Sequence, residues 1–71
     1  MTQELVYVEE LRANYDQAFE ELVMRVRELQ VTEIKQPNNS AAIRDLRQCV
    51  KRAEAAYREA RNLLADQLLR H

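Results

Sequence analysis

The chain has 71 residues, 46% apolar and 32% charged, with no glycine, one proline, one cysteine and a formal net charge of −1. That length gives one domain, residues 1–71, and two helices of the size it can hold cannot enclose a core of their own. The charge balance offers no global field for nucleic acid or membrane, the lone Cys49 excludes an internal disulfide, and a glycine-dependent phosphate loop cannot exist.

Thr2 can cap a first helix, and Glu4 sits where the helix dipole favours an anion. Leu5, Val8, Tyr15, Phe19, Leu22, Val26 and Leu29 then recur at spacings of three and four, the a and d sites of a heptad, broken only by Arg12. Lys35 suits the C-terminal dipole, and Pro37 disfavours helical geometry at Gln36. The spacing predicts a helix over about 3–35. Its last turn carries the β-branched Val31, Thr32 and Ile34, so fraying is expected after about Glu33.

Gln36-Pro37-Asn38-Asn39-Ser40 forms a hinge at 36–40, with Ser40 or Asn39 as the next N-cap. A second helix over about 41–69 places Ile43, Leu46, Val50, Ala53, Tyr57, Ala60 and Leu64 at a and d spacing; Gln67 holds the next site and Leu68 stands beside it. Glu21–Arg25, Glu54–Arg58 and Asp66–Arg70 are spaced as i,i+4 pairs. The product is an all-α antiparallel two-helix hairpin.

Folding at the hinge sets Leu29 against Leu46, Val26 against Val50, Leu22 against Ala53, Phe19 against Tyr57, Tyr15 against Ala60 and Arg12 against Leu64. Large residues face small ones at two of these layers, as close packing requires. Residues 1–36 carry eight acidic and four basic side chains, and residues 37–71 four and seven, which favours pairing of unlike helices. One flank of the seam is polar, with Asp16 facing Arg61. The other carries Leu11, Ala18, Ala42, Cys49, Ala56 and Leu63, interrupted by Arg25 and Thr32. This apolar flank is the expected dimer or partner interface, completing a four-helix bundle.

Candidate chemistry is sparse. Cys49 reads as a small apolar residue on that flank rather than a reactive thiol. His71 has no companions at metal-ligand spacing, so neither metal nor cofactor is expected. Glu9-Glu10 and Glu20-Glu21 point about 100° apart on a helix and cannot share a substrate. Arg44, Arg47, Lys51, Arg58 and Arg61 form a basic stripe that can track phosphates, but Glu54 interrupts it and no aromatic residue interleaves it.

Arg12, at a seam position, either snorkels over Leu64 toward Glu9 or Asp16 or specifies register and partner. Val6, Tyr7, Met24, Val31 and Ile34 are apolar outside the seam; Met24 and Val31, seven apart, mark a possible outer docking face. The longest apolar run, Leu5–Val8, is too short to span a membrane, and no signal-peptide pattern is expected, which points to a reducing cytoplasm. The expected function is non-enzymatic: a self-associating scaffold, adaptor or accessory subunit. The alternatives are a chaperone or small subunit docking a helix of another protein, and a weak nucleic-acid binder using the basic stripe.

Overall fold

The computed structural model describes residues 2–70, with side-chain environments from residue 5 onward. Helix α1 runs Thr2–Lys35 and helix α2 runs Ser40–Leu69. They pack on each other as an antiparallel hairpin, a rod of 55 × 13 × 13 Å, and no strand occurs among the described residues. The proposed Thr2 cap lies outside the described side chains.

The hinge is a tight turn held by backbone and side-chain hydrogen bonds. Asn39 N donates to the Gln36 carbonyl at 3.0 Å, closing a turn with Pro37 at its second position, where the ring's fixed φ fits. The Asn39 Oδ1 accepts from the Ala42 N–H at 3.2 Å, and its Nδ2 donates to Gln36 Oε1 at 2.9 Å. Asn39 is therefore the N-cap, and Ser40 is the first helical residue. Fraying after Glu33 does not occur. The Gln36 N–H reaches back to the Thr32 carbonyl at 2.7 Å, which holds the last turn despite its β-branched residues.

Helix α2 turns the expected face inward: Val50 and Ala53 are buried, and Ile43, Leu46, Tyr57, Ala60, Leu64 and Gln67 are half-buried. Helix α1 does not. Leu11 is 6% exposed, whereas Phe19, assigned to the seam, is 49% exposed, and Leu5 and Arg12 are also open to solvent. The inward residues are Val8, Leu11, Tyr15, Ala18, Leu22, Val26 and Leu29. At 100° per residue, α1 is turned about 50° from the expected orientation, toward the Leu11/Ala18 side.

The reason lies in side-chain size and distribution. The apolar residues of α1 spread around its circumference, while those of α2 gather on one side. With Ala18 inward, the bulky Phe19 lies beside the seam, its ring 5.8 Å from that of Tyr57. The expected Phe19–Tyr57 layer is thus present. Tyr57 also meets Tyr15, with ring centroids 5.3 Å apart and hydroxyl oxygens 3.1 Å apart. Of the expected helix-surface pairs, Glu21–Arg25 and Asp66–Arg70 close at 2.9 and 3.1 Å.

Truncating Leu11 to Ala should cost about 2 kcal/mol or more, because it empties the most buried position that α1 gives to the seam. Arg12→Ala should stay within about 0.5 kcal/mol. Urea denaturation of the two variants measures the difference, and equal costs would contradict the observed rotation of α1.

Candidate functional site

Turning α1 redistributes the surface that a partner would meet. Of the flank expected to be the interface, Leu11 is spent inside the hairpin; Ala18, Ala42 and Cys49 are half-buried; Ala56 and Leu63 are exposed. The same rotation brings charge to that side. Arg25 Nε donates to Glu21 Oε1 at 2.9 Å, and its Nη1 reaches Glu28 at 3.3 Å. Glu21 first, then Glu28, raises the pKa of the Arg25 guanidinium above its already high ordinary value. A shallow groove here is lined by Glu21, Arg25, Cys49, Arg52, Ala53 and Ala56. Its lining mixes the ion-paired Glu21 and Arg25 of α1 with the small apolar residues Cys49, Ala53 and Ala56 of α2.

Arg12, assigned to the seam, is exposed. Leu11, one residue earlier, takes the inward place. What the rotation removes from one side it delivers to the other: Phe19, Met24 and Val31 are exposed large apolar residues, and Val23 is half-buried. Phe19, Glu20, Val23, Met24 and Arg27 line one groove on α1. Val31 lines a neighbouring one with Arg27, Glu28, Thr32 and Leu46. Met24 and Val31 therefore belong to adjoining grooves that share Arg27.

The five residues of the basic stripe, Arg44, Arg47, Lys51, Arg58 and Arg61, are all exposed along α2. Two already have carboxylate neighbours: Arg47 meets Glu33 of α1 at 3.5 Å, and Arg44 meets Asp45 at 4.0 Å. Cys49 is a free thiol, half-buried. His71 lies outside the described residues. Among those described, no cluster of His, Cys, Asp and Glu could hold a metal ion, and no helix is long and apolar enough to cross a membrane.

The polar contact that heptad counting misses is Tyr15–Tyr57. The signal available was the phenol itself, since a partly buried tyrosine hydroxyl usually finds a partner. In the register of the hinge, the only other phenol near Tyr15 is that of Tyr57. The hydrogen bond to Tyr57 raises the pKa of Tyr15 above its ordinary value of 10.0, and the adjacent Tyr57 and Asp16 add smaller upward contributions.

No protein-family model matches the chain, and neither a curated protein nor a solved structure shows significant similarity to it.

The raised Tyr15 value carries a sign for stability. The folded hairpin holds this proton more tightly than the unfolded chain, so the contribution is complete below the unfolded tyrosine pKa and is lost as pH rises through the folded one. Thermal midpoints should therefore fall on the alkaline side of 10.0. Ultraviolet titration of Tyr57→Phe should show Tyr15 ionising closer to the ordinary value, and an unchanged ionisation would discount the hydroxyl pair.

Proposed function

We propose that this chain is a self-associating helical interaction protein whose working form is a dimer of hairpins, four helices in all. Unburied surface is the observation that carries the reading. The chain exposes 5866 Å², whereas a folded monomer of this mass exposes about 4,600 Å². The surplus, about 1,250 Å², exceeds the roughly 800 Å² that each partner contributes to a standard protein–protein interface. A 55 Å rod has this excess because neither helix has a second layer to lie against.

Burial within the hairpin is correspondingly thin. Leu11, Val50 and Ala53 are the buried apolar residues among those described, while ten large apolar side chains are exposed. Domains of this size usually need a staple, and one free cysteine cannot supply a disulfide within the chain. A second copy stabilises both hairpins by covering the same surface twice. The rod then serves as a scaffold, adaptor or accessory subunit that presents helical faces to other proteins, and no catalytic role is assigned to it. A reducing compartment such as the cytoplasm suits the Cys49 thiol.

Sedimentation equilibrium in reducing buffer should give a mass near twice the 8.4 kDa of the chain. A well-folded monomer across the whole concentration range would refute the dimer.

A further inference from the structure

Resting on the dimer proposed above, we infer that the second copy docks on the outer side of α1, centred between Val23 and Met24, with its own α1 running antiparallel. Three observations meet at this place. The first is shape: Phe19, Glu20, Val23, Met24 and Arg27 line a single groove, and its apolar members are open, with Met24 55% exposed. An axis between Val23 and Met24 sets residue 12 level with residue 35 of the copy, so the two helices overlap over residues 12–35 of Thr2–Lys35.

The second is charge. Glu20 and Arg27 stand two turns apart, about 10 Å along the axis, too far to pair within one helix. Among the described residues neither has an ion-pair partner, whereas Arg25, on the opposite flank, is held by two carboxylates of its own helix. An acid and a base left open at the two ends of one groove are self-complementary under a two-fold rotation. Each Glu20 meets Arg27 of the partner subunit, and the contact occurs twice.

The third is what that axis does to Val23, Met24, Ala13, Ile34 and Phe19. Midway between Glu20 and Arg27, it brings Val23 level with Met24 of the partner subunit and Ala13 level with Ile34 of the partner subunit. Phe19 comes alongside the stem of Arg27 of the partner subunit, an apolar stem that can cover the ring while its charged head stays wet. Two exposed groups expected to face water, Met24 and Ile34, are thereby covered by one symmetry operation.

Charge reversal tests this without touching the hairpin seam, because Glu20 and Arg27 are exposed. Glu20→Arg and Arg27→Glu should each weaken the dimer at least about tenfold, since each places like charges together twice. The double variant Glu20→Arg/Arg27→Glu should recover wild-type affinity, with circular dichroism unchanged throughout. Ala56→Arg, on the opposite flank, should leave the dimer intact. A wild-type dimer indifferent to both single reversals, a double variant that fails to recover, or dissociation by Ala56→Arg would overturn this face while leaving the dimer standing. A monomeric wild type would overturn both.

Discussion

Two helices packed only on each other can each hide one stripe, and everything else in this molecule follows from which stripe each helix chooses. For α2 the choice is forced, because its apolar residues gather on one side. For α1 it is not. A broad arc from Leu5 through Leu11 to Phe19 could face inward, and side-chain volume decides among the possibilities. Packing Phe19 between two helix axes would hold them apart along their whole length, whereas turning Ala18 and Leu11 inward lets them close. The large ring then finds a place at the edge, against Tyr57.

That choice explains how far the sequence could be read. The hinge was legible because Pro37 and the two asparagines have strong local preferences that tertiary packing does not overrule. The inward face of α2 was legible because a single period accounts for its apolar residues. The orientation of α1 was not: a heptad count scores Phe19 as a better seam residue than Ala18, although in a two-helix seam the smaller residue packs better. The error then spread. It put Arg12 in the seam, left Leu11 outside it and did not place the Glu21–Arg25 pair in the groove beside Cys49. Capping by Asn39 rather than Ser40, and the intact turn after Glu33, turn on single hydrogen bonds at the hinge. Heptad periodicity says nothing about either.

Electrostatics sorts the surface more sharply than hydropathy does. Arg25 is closed on its own helix by Glu21 and Glu28, and Arg47 ties the two helices together near the hinge through Glu33. Such pairs contribute little to stability at exposed sites. Their value here is that they identify which charges are already satisfied. Glu20 and Arg27 have no such partner among the described residues, and their helical spacing prevents them from meeting each other. An apolar groove bounded by two such groups differs from an apolar groove alone, since it carries information about the direction and position of whatever covers it.

The hinge also sets how the hairpin responds to force. Contacts between α1 and α2 are nested about it, from Glu33–Arg47, 14 residues apart in the chain, to Tyr15–Tyr57, 42 residues apart. Closing an inner contact shortens the loop that the next must close, so pairing can advance from the hinge outward. Tension applied at the open end would work in reverse. It would load the layers one at a time and peel the helices apart rather than shear them, making the isolated hairpin mechanically soft to forces across its long axis.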